Sequence, residues 1–499
     1  MSTAIPIDIP LPALEGPWSS GRDEDRFAIE EPATGRELAV VAGGGAAEVE
    51  AAVTRAHAAF QQWRAIGARE RGRLLLRCGE LIRAHADELA ALETQEMGKP
   101  FHQSRKFDLE VCAGSFEFFG GLADKVPGDF FDLGPVAAHT IHEPYGVVGG
   151  IIPFNWPPIH TAAKSAPALA AGNTIVIKPP EQGPLTIMRI VELLQQVLPP
   201  GVVEIVPGLG PSAGVALASH PLVRKLSFTG ATHTGQAVLK LAADNLTSAV
   251  LELGGKNAFI VFADCDLDAA VRGALEGGWF NQGEACTAAS RLLVEEPIHD
   301  EFVARLAPAV AALRVGDGLD PSTHVGPLVT RAHQQRVQAL IEQGLAEGGE
   351  VVAQAQLPDD PRLADGFYVA PLLVDGVTPE MTLAREEVFG PVSAVMTFNG
   401  EAEAVAIAND TEYGLVAGVY TRDAERAERV ARGLEVGLVM VNNYNRAFLG
   451  SPFGGTKASG YGREHAIDTL REFVQVKNIR RPSGQGEIPS WHVVDEVLS

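Results

Sequence analysis

A cysteine and a glutamate in this chain each stand on backbone that glycine bends. Cys286 follows the glycine of Asn281-Gln282-Gly283-Glu284-Ala285-Cys286-Thr287, and Glu252 precedes the pair in Leu251-Glu252-Leu253-Gly254-Gly255-Lys256-Asn257. Thiolate, not thiol, is the nucleophile, and an ordinary cysteine with a pKa of ~8.5 is only a few per cent ionised at neutral pH. A base or a positive field beside Cys286 would therefore raise its reactivity. Glu252 lies among apolar neighbours, Ala249-Val250-Leu251 and Leu253. Such surroundings disfavour the charged carboxylate and lift its pKa, which suits a general base. The other cysteines, Cys78, Cys112 and Cys265, stand in helical or strand runs without a glycine turn and read as small buried apolar residues.

The elements that must position these two groups follow from patterning. With 499 residues the chain is long enough for two to four domains of about 100–200 residues each. Residues 1–44, rich in Pro and Gly, read as an arm with short strands, and Ala46 to Lys99 shows helical spacing that stops at Gly98-Lys99-Pro100. Beyond Gly146 short apolar runs alternate with amphipathic stretches, giving strand candidates at 146–152, 174–177, 202–206 and 225–228. A second alternation starts at 257–262 and continues through expected helices at 300–313 and 331–347. Apolar strands separated by helices imply parallel sheets covered on both faces, so the expected class is α/β with two doubly wound domains. No internal repeat and no low-complexity tract interrupts this pattern.

Composition excludes several functions. The formal charge of −23 and a pI near 5.0 argue against nucleic-acid binding, which needs concentrated Lys and Arg. Four cysteines without a Cys-x-x-Cys pair or a nearby His cluster suggest neither structural zinc nor disulfides, and fit a reducing compartment. The first residues, Met1 to Asp8, lack a basic region and an apolar run, and no apolar stretch reaches the ~18 residues of a membrane helix. The expected location is the cytoplasm.

A nucleotide site is suggested at three places. The glycines of Pro207-Gly208-Leu209-Gly210-Pro211 suggest a dinucleotide fingerprint, with Gly210 as a contact, yet the acidic residue expected about 20 positions downstream is missing and a plain loop reads better. Glu181, just after the 174–177 strand, is placed to accept hydrogen bonds from a ribose diol and to repel a 2′-phosphate, favouring NAD over NADP. Phe228-Thr229-Gly230 ends another strand, and the helix opening through Gly235 offers free backbone N–H groups to a pyrophosphate.

Taken together, the Cys286 and Glu252 segments, Pro153-Phe154-Asn155-Trp156-Pro157, the stretch from Ala168 to Pro179, Phe228-Thr229-Gly230, Glu386-Glu387-Val388-Phe389-Gly390-Pro391 and Pro452-Phe453-Gly454-Gly455-Thr456-Lys457 resemble the NAD(P)-dependent aldehyde dehydrogenase family. The resemblance spans nearly the whole chain. It implies an NAD-binding domain over 1–124 and 144–253, a catalytic domain over 254–453, oligomerisation strands at 125–143 and 470–482, and a C-terminal tail at 483–499. By the same resemblance Asn155 is an oxyanion donor, and Lys178 lies beside the adenosine ribose. Ile151, Ile152, Pro153, Phe154, Leu253, Glu387 and Phe389 join the cofactor contacts. Ala231 and His233 depart from the family pattern, and the missing hydroxyl at Ala231 leaves more of the binding to backbone.

For the substrate, the resemblance implies a tunnel around Trp156, His160, Ala163, Ala285, Thr287, Arg446, Ala447 and Phe453. The small residues leave room, while His160 and Arg446 add polarity that suits a carboxylated or hydroxylated aldehyde. Expected chemistry is thiolate addition, hydride loss to NAD and hydrolysis of a thioester with Glu252 as base, giving an acid. Alternatives are a CoA-acylating enzyme of the same family, a cysteine hydrolase and a non-catalytic NAD-binding protein. A homodimer or homotetramer is expected, through a hairpin at 129–143 pairing with the 472–480 strand of a partner. No metal is expected.

Overall fold

The computed structural model describes residues 26–444, 448–491 and 493–498. Two large sheets carry the architecture. The first has six strands in the order Gly460–Tyr461, Ser248–Glu252, Val223–Thr229, Val147–Ile151, Thr174–Lys178, Val203–Ile205. The second has seven, in the order Glu350–Gln354, Leu372–Asp375, Val392–Phe398, Arg291–Glu295, Ala258–Val261, Val416–Tyr420, Leu438–Val441. Each sheet is parallel except for one antiparallel edge strand, Gly460–Tyr461 in the first and Glu350–Gln354 in the second. The expected α/β class with two parallel-sheet units is therefore present, with mixed edges that patterning did not reveal.

Helices cover both faces of each sheet, which is why the strands read as apolar runs instead of alternating ones. One face of the first sheet packs on Ala162, Leu169, Ile187 and Ile190; the other packs on Val49, Val53, Leu217 and Val238. The second sheet lies between a layer with Val337, Ile341, Ala404 and Val430 and one with Ala270, Ala274, Phe302 and Leu306. The long helical region resolves into Ala46–Ala65, Ala68–Ala84 and Ala86–Met97, ended by Gly98 at φ +77°. Strands Arg26–Glu31 and Arg36–Ala42 form a hairpin in the described part of the N-terminal arm.

A third, small sheet joins Val474–Pro482, Val136–Pro144 and Phe130–Asp132. Here one expectation needs correction. The hairpin pairs with the C-terminal strand of its own chain, from Val474 opposite Pro144 to Pro482 opposite Val136, instead of that of a partner, and the outer edge of the C-terminal strand stays open. Backbone pairing is satisfied locally because the chain returns through Ile467–Glu472, whose Leu470 is buried in the first domain's core. Residues 470–472 accordingly belong to that helix and not to a strand. Beyond Pro482, Val493–Leu498 forms a short helix.

Candidate active site

The strand ends of the first sheet are in register. Ile151 lies opposite Lys178 on one side and Phe228 on the other, while Thr229 lies opposite Glu252. Parallel strands open a crevice at their carboxyl ends. The second sheet contributes its opposite ends: Cys286 and Thr287 precede strand Arg291–Glu295, and Glu387 and Phe389 precede Val392–Phe398. The site thus lies where carboxyl ends of one sheet meet amino ends of the other.

Cys286 sits on unusual backbone. Asn281, Gln282 and Gly283 are all left-handed, at φ +54°, +57° and +71°, and a Cβ at Gly283 would fall 2.1 Å from the Gly390 carbonyl oxygen. Such backbone persists only when its surroundings fix it. The Asn281 amide donates to the Asn155 and Glu284 carbonyls at 3.1 and 2.9 Å. The Asn257 amide donates to the carbonyls of Cys286 and Ala288 at 2.8 and 2.9 Å, and the Tyr444 hydroxyl donates to that of Thr287 at 2.8 Å. Gly255 allows this close approach, since a Cβ there would lie 2.7 Å from the Cys286 carbonyl oxygen.

Glu252 ends its strand with its carboxyl buried, not solvated, at 2% exposure. Burial, then the negative charge of Glu464, push it up to about 8. Neither of its oxygens has a hydrogen-bond partner among the described residues, although the Cys286 thiol is near enough for each group to perturb the other's ionisation. Burial and the facing carboxyl raise the Cys286 thiol well above its ordinary value. In the resting site the proton therefore stays on sulfur. The other cysteines are buried, with Cys78 pushed up to about 12 and Cys265 to about 11 by burial. Cys265 lies in a turn after strand Ala258–Val261 and not in a strand.

A cleft of about 540 Å³ opens on one side of Cys286 and Glu252 and is lined by Pro153, Phe154, Asn155, Gly230, Leu253, Glu387 and Phe389 among others. The helix Thr232–Ala243 points its first turn there and has no side-chain cap, so its leading N–H groups are open. Gly230 and Gly235 bring that turn down on Phe228 and Leu253: a Cβ at Gly230 would meet the Phe228 ring at 2.8 Å, and one at Gly235 the Leu253 side chain at 2.7 Å. Phe228 and Leu253 therefore support the turn from below. Lys178 ends its strand and Glu181 and Gly210 follow theirs on the carboxyl side, and none of the three lines the cleft itself. Lys178 donates to Glu181 at 2.8 Å, and Glu181 remains partly exposed. Glu387 accepts from the Gly255 N–H at 2.9 Å, and burial pushes its carboxyl to about 7. Phe389 is itself left-handed, at φ +59°, and its ring meets Phe154 edge-on at 5.7 Å.

On the other side of Cys286 a narrower pocket is lined by Trp156, His160, Thr287, Phe453, Phe107 and His465, among others. Ala163 and Ala285 are buried nearby on the same elements. Arg446 and Ala447 lie outside the described residues.

Several site residues carried no signal in the sequence. His333 and Arg336 line the wider cleft; His333 pairs with the Phe389 carbonyl at 2.8 Å, and Arg336 donates to the carbonyls of Glu387 and Val388, both at 3.0 Å. Lys164 donates to Thr229 and Glu464 at 2.6 and 3.0 Å in a fully buried network beside Glu252. Burial lifts the Glu464 carboxyl, but Lys164, His160 and His465 outweigh it and hold the group at about 2. Lys99 lies 56 residues before Asn155 and binds its carbonyl. Only topology brings these groups together.

A buried thiol facing a buried carboxyl, set between a wide cleft and a narrow pocket, gives the site a nucleophile with an acid–base group beside it. Comparison with known proteins supplies the class. The profile described as "Aldehyde dehydrogenase family" matches residues 18–479. Aldehyde dehydrogenase citD of Monascus ruber is 51% identical over 482 residues, covering 96% of each chain, and betaine aldehyde dehydrogenase of Bacillus subtilis (strain 168) is 40% identical over 94% of this chain and 96% of its own. Among solved structures, PnpE in complex with nicotinamide adenine dinucleotide superposes with a TM-score of 0.91 at 42% identity, covering 93% of this chain and 96% of that one. Betaine aldehyde dehydrogenase from Staphylococcus aureus in complex with NAD+ superposes with a TM-score of 0.90 at 35% identity, covering 94% of both. The chain belongs to the aldehyde dehydrogenase family and is an enzyme that oxidises aldehydes.

Proposed function

We propose that the enzyme converts an aldehyde to a carboxylic acid by way of a Cys286 thiohemiacetal and thioester, with NAD as the hydride acceptor. One observation carries this reading: Cys286 is the residue shared by the wide cleft and the narrow pocket, with Glu252 facing it from the cleft side. The cleft's residues fit a dinucleotide, since the uncapped turn after Gly230 offers backbone donors to a pyrophosphate and Glu181 stands where it favours a free ribose diol over a 2′-phosphate. Relatives solved with NAD support the same choice. When bound, the nicotinamide supplies the acceptor for the hydride.

The chain's own residues supply the rest. Glu252, when ionised, takes the thiol proton and passes it to solvent as the Cys286 sulfur adds to the carbonyl carbon, and Asn155 with the Cys286 N–H faces the developing oxyanion; one such donor is typically worth about 10²–10³ in rate. Glu252 then takes a proton from water as that water attacks the thioester, releasing acid and free thiol. Its burial beside Cys286 favours hydrolysis over acyl transfer to coenzyme A. Lys178, Ile151 and Ile152 would hold the adenosine side of a bound NAD, and Glu387 and Phe389 its nicotinamide side. We place the enzyme in the cytoplasm as a homodimer or homotetramer, on the few cysteines of its sequence and the open edges of its small sheet.

The test is reduced-nicotinamide absorbance with NAD or NADP and a panel of aliphatic, aromatic and carboxylated aldehydes, with acid assayed with and without coenzyme A. Acid formed with NAD and without coenzyme A is expected. A product that requires coenzyme A would refute the hydrolytic step.

A further inference from the structure

We propose that His160 recognises a hydroxyl group on the ring of an aromatic aldehyde seated in the narrow pocket beside Cys286. This rests on Cys286 being the nucleophile. The pocket is walled by the rings of Trp156, Phe107 and Phe453: Trp156 meets Phe107 edge-on at 5.8 Å and is backed by Phe280, stacked on it at 5.7 Å. Fixed rings of this kind favour a flat, apolar guest through edge and offset contacts. His160 is one of the polar side chains in that wall, together with Thr287 and His465, and the one with both ring nitrogens unpartnered among the described residues. It lies one turn after Trp156 on the helix Pro157–Ala170, with its N–H bonded to the Trp156 carbonyl at 3.0 Å, so both side chains share one helix face.

Its ring is buried, at 5% exposure, and neither Nδ1 nor Nε2 has a hydrogen-bond partner among the described residues. Buried polar atoms are rarely left so, and each costs free energy until paired. The charged groups facing the ring are Lys164, Glu464, His465 and Lys99. Burial first, then the positive charge of Lys164, push the imidazole down to about 3 despite Glu464, so it is neutral near pH 7. Glu464 is already paired with Lys164. A neutral imidazole has one donor and one acceptor, the same complement as a hydroxyl. A carboxylate would instead require a second donor or a cation, and His160 offers neither. A guest without a hydroxyl would bury both ring nitrogens unpaired, the situation in which a site discriminates most strongly between close analogues.

The experiment compares kcat/KM for benzaldehyde with that for its ortho, meta and para hydroxy derivatives in wild type, His160→Leu and His160→Gln. At least one hydroxylated isomer should exceed benzaldehyde by about 10- to 100-fold in wild type. His160→Leu should collapse that ratio towards one, and His160→Gln, which keeps a donor and an acceptor, should restore part of it. Because a ratio is read, a general loss of activity in a variant does not imitate the effect. A second arm measures calorimetric binding of the same aldehydes to Cys286→Ala with and without His160→Leu. Oxidation without hydroxyl preference, or a preference that survives His160→Leu, overturns the proposal. If no aldehyde is oxidised while the binding preference persists and depends on His160, the role of Cys286 falls and that of His160 stands.

Discussion

Lys99 Nζ donates to the Asn155 carbonyl at 3.1 Å and stands 4.2 Å over the Trp156 ring. One buried cation thereby fixes both the peptide of the proposed oxyanion donor and an aromatic wall of the pocket. Its countercharges are Glu93, at 3.0 Å, and Asp108, also in contact. Breaking a buried pair by removing one partner costs about 3–5 kcal/mol. Lys99→Met should lower stability by that order and reduce kcat, as measured by denaturant unfolding and steady-state rates; an unchanged midpoint would mean the carboxyls find other partners.

Cys286→Ala removes the proposed nucleophile and only one sulfur from the core. Dehydrogenase turnover should fall to background while calorimetric binding of NAD persists. Oxidation retained at even a few per cent of wild type would displace Cys286 from the chemistry.

Glu252 titrates near 8 in the folded chain. As a base it works only when deprotonated, so thioester hydrolysis should accelerate as pH rises through about 8, and acyl-enzyme should accumulate below it. The stability linkage has the opposite sign: a carboxyl whose folded pKa is raised favours the folded state at low pH, and this contribution is lost as pH climbs from its unfolded value towards about 8. Glu252→Gln should remove the inflection, show a burst of one acyl group per chain by intact mass, and, by deleting the facing charge, make Cys286 alkylation begin at lower pH. A wild-type steady-state rate in Glu252→Gln would contradict the assignment.

Much of the chemistry was legible because it lies in short segments whose glycines are demanded by close contacts. Gly254 is one case, since a Cβ there would fall 2.3 Å from the Glu387 carboxylate. The parallel strands were legible because both faces are covered and the runs are wholly apolar. What escaped has a common physical character. Lys164 with Glu464, Arg336 with the Glu387 peptide, and Lys99 with Asn155 are contacts between distant segments, and a lone Lys or Arg, in a helical run or in the turn after one, looks the same whether it faces solvent or a buried partner. Gly210 shows the converse: a glycine-rich string drew notice, and the structure places it on the carboxyl side of its strand but not in the cleft lining.

Glu181 faces outward beside Lys178, which bears on cofactor choice. Glu181→Ser should raise the ratio of kcat/KM for NADP to that for NAD at least about tenfold, because a carboxylate no longer opposes the 2′-phosphate. No change in that ratio would put discrimination elsewhere.

The small sheet exposes Phe130, Phe131, Val476 and Ile479 along two open edges. Unpaired strand edges with apolar side chains invite another chain. Light scattering should find a dimer or tetramer for wild type, and Val476→Asp should shift the mass downward. A monomeric wild type would remove this interface.

The strand that ends in Glu252 is bordered by Gly460–Tyr461, a segment made more than 200 residues later, and Leu253 donates its N–H to the Ser459 carbonyl. During synthesis, then, Glu252 and Cys286 both emerge before the piece of backbone that forms the edge of the sheet beside Glu252. The first sheet is therefore completed late in the life of the nascent chain, with its last edge strand supplied from beyond the whole of the second sheet.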